Sequence, residues 1–240
     1  MHRFFLTDNI IDEQVIINDA SQLHHLKDVL RLKTGCQIVV FDSSGCEYLC
    51  SIADITRQQA RLNVIEKKQA RPVRFKLTIA CALPKKSGFD DIVDNLTQIG
   101  VDTIIPLLTE RVEVKVDDIE RSRLERWRKI ALSAAEQSQR NMLPSIPGIM
   151  SLTDVLSKSA EYDLKLVPSL IGDRLSLSQV LTGKKPAAII VLIGPEGDFT
   201  PQEVEQAVTS GFQPITLGEN VLRVGTAATA IAAHLKLAYL

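Results

Sequence analysis

"IGPEGDFT", residues 193 to 200, leaves the apolar run "AAIIVL" and runs into "PQEVEQAV". Two glycines and a proline surround one carboxylate where a strand-like run stops and a helix-like pattern starts. A Gly-Pro-x-Gly turn keeps side chains away and fixes the backbone, so peptide groups can approach a flat or anionic ligand closely. Thr200, Pro201 and Glu203 then read as N-cap, first helical residue and capping-box partner, which predicts a helix that starts at once. Taken alone, the stretch equally suits an ordinary strand-to-helix connection in an α/β domain. Its surroundings have to separate the two.

From Arg71 onward the chain alternates strand-like and helix-like segments: "KLTIACAL", "SGFDDIVDNLTQIG", "TIIPLL", a long helix over 119–139, "YDLKLVP", "AAIIVLI", "PQEVEQAVTS", "PITLG" and "TAATAIAAHLKLAYL". That alternation predicts an α/β domain with a largely parallel sheet over residues 71–240. Residues 1–70 have a different texture. Short β-like runs, "RFFL", "EQVIIN", "CQIVVFD", "EYLCSIAD" and "ARLNVIEKK", predict a small barrel. One helical insert, "ASQLHHLKDVLRL", puts Leu23, Leu26 and Leu30 on one face. The boundary falls in "EKKQARPVR", where charge, Pro72 and the loss of apolar period coincide.

At 240 residues and 45% hydrophobic content the chain can bury a sizeable core. Its 28 Lys and Arg against 29 Asp and Glu give a formal charge of −1, so any nucleic-acid role must rest on a local patch. "MHRFFLTDNI" lacks a basic segment followed by a long apolar run, and no stretch is apolar for long enough to span a bilayer, which predicts a cytoplasmic protein. Cys36, Cys46, Cys50 and Cys81 form no CxxC pair and have no histidine at ligand spacing. They read as buried or half-buried thiols, and no metal is implied.

In open parallel sheets, ligands bind beyond the carboxyl ends of the strands. Three loops bearing glycine or proline fall there, after "LKLVP", "VLIG" and "ITLG". The third, "LGENVLRVGTAA", mixes permissive glycines with Val221 and Leu222, as a flat, partly apolar base would want. There is no GxGxxG after a first strand and no GxxxxGK[ST], so a nucleoside poor in phosphate is a better guest than a dinucleotide or triphosphate.

"IGPEGDFTPQEV" with "LGENVLRVGTAA" closely resembles the two signature segments of SPOUT methyltransferases. Within them the resemblance is to the RsmE family, which methylates N3 of a uridine in bacterial 16S ribosomal RNA. It extends to "HRFF" at the start, "HLKDVLRLKTG" at 25–35, "IGVDTIIPLLTERV" at 99–112 and "SAAEQSQRNMLPSI" at 133–146. The resemblance implies an RNA-binding PUA-like β-barrel at 1–70, a SPOUT α/β domain with a trefoil knot at 71–240, and a homodimer acting on the small ribosomal subunit.

Carried over residue by residue, it implies a wrap around S-adenosylmethionine by Leu192, Ile193, Gly194, Pro195, Glu196 and Gly197 in one loop. Leu217, Gly218, Glu219, Val221 and Leu222 in the other loop join it, with Pro168, Thr226 and Ala227 alongside. Neutral uridine N3 is a poor nucleophile, so a cation near the uracil oxygens or a general base is needed. Arg223 and Arg140 are candidates for the first role, Glu136 and Glu196 for the second. Arg3, Arg31, Lys85 and Lys86 are candidates for RNA phosphates; the cations of "ERSRLERWRK" are shared between helix faces, and Trp127 reads as a core anchor. The chain departs from the family pattern at Asp198, where a second glycine is usual. It departs also at Gly225, where a glutamate is common, and at Asn95 and Gln98, where lysine and glutamate are expected. A SPOUT enzyme for ribose or transfer RNA, and a non-catalytic RNA-binding protein, remain open alternatives at this level.

Overall fold

The computed structural model describes residues 1–6, 14–42, 44–69, 74–85, 88–112 and 120–239. Two compact units divide it, one made of Met1–Pro72 with Ala135–Leu143, the other of Val73–Ala134 with Pro144–Leu240. Pro72, expected from the sequence to lie at the boundary, falls outside the described residues.

In the first unit, β1 (Arg3–Leu6), β2 (Gln14–Ile17), β3 (Gln37–Asp42), β4 (Glu47–Ile55) and β5 (Ala60–Lys68) form a curled sheet in the order β1-β3-β4-β5-β2. Only β1 and β3 run parallel; the other neighbours are antiparallel. One face of the alternating strands supplies the core, with Phe4, Val15, Ile17, Ile38, Val40, Tyr48, Cys50, Ile52 and Leu62 packed together. Leu23 and Leu26 close that core from the helical insert. The insert starts as α1 (Ala20–His24), capped by the Asp19 carboxylate, which accepts the Gln22 N–H at 2.9 Å. It then widens into a π-turn, His25–Val29, and stops at Arg31, whose φ of 53° lies in the left-handed region. The expected helix through Leu32 therefore ends earlier, because a left-handed residue cannot continue a right-handed ladder.

In the second unit the elements are β6 (Lys76–Ala82), α2 (Phe89–Ile99), β7 (Thr103–Leu108), α3 (Glu120–Gln137), β8 (Met150–Ser151) and α4 (Leu152–Ser157). After them come β9 (Leu164–Pro168), β10 (Leu175–Ser176), α5 (Leu177–Leu181), β11 (Ala188–Ile193), α6 (Pro201–Thr209), β12 (Gln213–Thr216) and α7 (Val224–Ala238). All seven strands pair in parallel, in the order β10-β12-β9-β11-β6-β7-β8. Both faces are covered, so the central strands read as unbroken apolar runs: Ile189 to Ile193 and Leu77 to Ala82 are buried throughout. One core cluster lies under α2, α3 and α7, and another joins Ala80, Ile105, Val167, Ile190 and Leu192 to Phe199, Ala207 and Phe212. Trp127 is 3% exposed, stacks on Phe89 at 4.6 Å and donates from Nε1 to Asp90 at 3.1 Å, a core anchor as its sequence suggests.

Candidate donor-binding site

β12, β9, β11 and β6 lie side by side and parallel, so their carboxyl ends open on the same edge of the sheet. Three loops leave that edge, after β9, β11 and β12. They enclose a cavity of about 320 Å³, in the size range of small-molecule sites.

The loop after β11 is held by its two flanks. At its far end the capping box forms as read from the sequence: Thr200 Oγ1 accepts the Glu203 N–H at 3.3 Å, and Glu203 returns the bond to the Thr200 N–H at 2.8 Å. Glu203 is buried, and its second oxygen accepts the Glu110 N–H at 2.8 Å, tying the start of α6 to the loop after β7. Arg111 in that loop donates to the carbonyls of Gly197 and Asp198. Within the turn, Gly194 has no spare room. A Cβ there would stand 3.0 Å from the Phe199 ring and 3.1 Å from Asp198 Oδ1.

The loop after β9 is fastened to the loop after β11 by Asp198, which accepts the Leu170 N–H at 2.7 Å. Arg174 donates to the Ser169 carbonyl at 3.0 Å from within the same loop. The loop after β12 turns at Gly218, whose φ of 118° is closed to most side chains. The Thr216 hydroxyl secures that turn by pairing with both Gly218 peptide groups, at 3.0 and 3.2 Å. Arg223 then ends the loop at the N-cap of α7, where its carbonyl accepts the Ala227 N–H at 2.9 Å; its side chain is exposed and lines the cavity, and the guanidinium has no hydrogen bond or ion pair among the described residues.

Of the cofactor residues expected from sequence, Pro168, Ile193, Gly194, Pro195, Glu196, Gly197, Leu217, Gly218, Val221, Leu222 and Ala227 line this cavity. Leu192 instead belongs to the core under the sheet, while Glu219 and Thr226 face solvent outside the lining. Sequence reasoning missed Ser169, Leu170, Arg174, Asp198, Ile215, Thr216, Asn220 and Val224, which complete the walls together with Arg223. The loop "SLIGDR" after β9 had been singled out as converging, and its polar residues were the available signal.

Glu196 is exposed at the rim and accepts the Lys85 N–H at 3.4 Å. Glu136 and Arg140 belong with the first unit. Burial pushes the Glu136 carboxyl above the usual range, against the lowering effect of the Phe5 N–H and the Arg3 charge. The Arg3 side chain is only 7% exposed, bonded to Glu47 at 2.8 Å and to Asn141, and it lies over the Phe41 ring, with its Nε buried and unpartnered among the described residues. Arg31 is exposed and borders a shallow depression with Lys27 and Lys33 in the first unit. Lys85 is exposed, and Lys86 lies outside the described residues. Cys46, Cys50 and Cys81 are buried and Cys36 half-buried, and burial raises the Cys50 thiol to about 11. Among the described residues no group of His, Cys, Asp and Glu has the geometry of a metal site, and no helix is long and apolar enough to cross a membrane.

Residues 71–236 match the family described as RNA methyltransferase domain, and residues 17–65 match the RNA methyltransferase PUA domain. The ribosomal RNA small subunit methyltransferase E of Synechocystis sp. is 33% identical over 98% of this chain and 77% of its own. The chain belongs to that family. The Bacillus subtilis member is 31% identical, over 95% of this chain and 93% of its own. Among solved structures, the Neisseria gonorrhoeae ribosomal RNA small subunit methyltransferase E bound to S-adenosyl methionine superposes with a TM-score of 0.89 at 29% identity, covering 100% of this chain and 98% of that one. The parallel sheet is thus of SPOUT type, preceded by a PUA-like sheet.

Proposed function

We propose that the protein is an S-adenosylmethionine-dependent methyltransferase that places a methyl group on N3 of a uridine in 16S ribosomal RNA. The observation that carries this reading is the cavity itself, walled by three backbone-rich loops at the carboxyl edge of a parallel sheet, in a chain of this family. A relative of the same fold is bound to S-adenosyl methionine. The lining suits that molecule: apolar Ile215, Leu217, Leu222 and Ala227 for a base, peptide groups at Gly194 and Gly218 for close approach, and Arg174 for the carboxylate.

Bound there, S-adenosylmethionine supplies an electrophilic methyl group. The chain's own task is to align the base and make its N3 nucleophilic. Arg223 is suited to hold a uracil oxygen as negative charge develops, since a guanidinium offers fixed donors aimed at one point. Arg140 is the second cationic candidate. Glu196, at the rim of the cavity, and Glu136 are the candidates for taking the N3 proton. For RNA phosphates the candidates are Arg3, Arg31, Lys85 and Lys86, with Arg31 and Lys85 the exposed ones among the described residues. Residues 1–70 would serve as the RNA-binding domain and 71–240 as the methyltransferase domain, with the family's knot in the second. Cytoplasmic location, a homodimer and catalysis without a metal complete the proposal.

Mapping methylated nucleotides of ribosomal and transfer RNA from cells with and without the gene tests it. Loss of a single base methylation in 16S ribosomal RNA is expected. Loss of a ribose or transfer RNA mark, or no loss at all, would refute it.

A further inference from the structure

We propose that Asp198 makes the cavity selective for charge, favouring a cationic sulfonium donor over the neutral thioether that methyl transfer leaves behind. The inference rests on reading the cavity as the donor site. S-adenosylmethionine and S-adenosylhomocysteine differ by one methyl group and one positive charge, so a wall that senses only shape would hold them almost equally. A negative charge in the wall would not.

Asp198 lines the cavity, and its φ of 67° puts it in the left-handed region, where aspartate is tolerated far better than bulkier residues. This geometry sends the carboxylate across the turn. Oδ2 is fixed by the Leu170 N–H at 2.7 Å, with the Ser169 hydroxyl at 3.5 Å. Oδ1 has no partner among the described residues and lies 3.1 Å from where a Cβ on Gly194 would stand, beside the tightest part of the wall. One oxygen therefore anchors the side chain and the other keeps its charge available. The nearby cations are not paired with it. Arg111 is directed at the carbonyls of Gly197 and Asp198, Arg174 at the carbonyl of Ser169, and no ion pair involves Asp198 among the described residues.

Two substitutions separate charge from structure. Asp198→Asn keeps an oxygen for the Leu170 N–H and tolerates the same left-handed backbone, but removes the charge. Asp198→Gly keeps the backbone and removes both the charge and the latch. Calorimetric titration of each protein with S-adenosylmethionine and with S-adenosylhomocysteine reads the effect directly. In the wild-type protein the sulfonium should bind more tightly. Asn should weaken the sulfonium by about fivefold, a moderate effect because Asp198 is only half-buried, and leave the thioether within twofold. Gly should weaken both ligands. If Asn shifts both ligands equally, or neither, Asp198 is a latch alone and the proposal is overturned. If the wild-type protein binds neither ligand, the donor-site reading itself fails.

Discussion

At Gly194 the wall of the donor cavity leaves no space for a side chain, because Phe199 and Asp198 close over the turn. A side chain there meets the buried Phe199 ring at 3.0 Å and Asp198 at 3.1 Å, so even a methyl group forces the wall to move. Gly194→Val should lower S-adenosylmethionine affinity about tenfold or more, in line with the roughly 1–3 kcal/mol that overpacking costs. Unchanged binding by calorimetry would contradict the role given to this turn. Arg223 is a sharper case, because nothing among the described residues occupies its guanidinium. Arg223→Ala should slow methyl transfer on the order of 10²-fold while changing donor affinity little, and Arg223→Lys should recover only part. Lost donor binding with normal single-turnover transfer would make Arg223 a pocket residue instead. Residue types at the turns were legible because glycine and arginine carry their constraints with them. Arg3 was not: a sequence does not show that Glu47, Asn141 and Phe41 converge on one guanidinium.

Among the elements, α6 was the most legible, since its cap is written in four consecutive residues, Thr200 to Glu203. What its sequence hides is the second use of Glu203, which also accepts the Glu110 N–H 93 positions away. The two mutations at this cap should therefore differ. Thr200→Ala should cost about 1 kcal/mol, the usual value of an N-cap. Glu203→Ala leaves the N–H groups of Thr200 and Glu110 without acceptors and should cost about 1–3 kcal/mol for each that stays buried. The Thr200 hydroxyl also reaches Glu110 Oε2 at 3.3 Å, so urea unfolding midpoints would isolate only the bond from the Glu110 N–H to Glu203, and equal losses would mean that this bond contributes nothing. The contact of α2 with α7 shows a different limit. Gly225 lies where a Cβ would come 3.3 Å from Ile92, so a side chain there would need Ile92 to give way by a few tenths of an ångström, while Asn95 and Gln98 face solvent on α2. The two-residue strands β8 and β10 could not be read at all, because two residues have no period.

Across the whole molecule, alternation of strands and helices was enough to predict a parallel sheet, but not its order, which depends on which apolar runs end up adjacent. The same gap applies to assembly, and α7 is where it can be closed. Val224, Ala228, Ile231, Ala232 and Leu235 bury one face of this helix in its own unit. The other face presents Thr226, Ala230, His234, Leu237 and Ala238 to solvent, with Leu237 69% exposed, a surface of small and apolar groups with no fixed charge to keep a partner away. The 15 residues make a strip about 22 Å by 10 Å. That covers only about a quarter of the ~800 Å² each subunit gives to a stable interface. Exposed Leu170, Ile171 and Val221, in the same unit, are the further apolar area a homodimer would use, and two of them line the donor cavity. Ala230→Arg tests the arrangement with little risk to the fold, since the position is exposed and arginine is a good helix former. Light scattering at micromolar concentration should give twice the chain mass for the wild-type protein and the single chain mass for the variant, with unchanged helical circular dichroism. A wild-type protein already at the single chain mass would refute the dimer, and a variant still at twice that mass would move the interface away from α7.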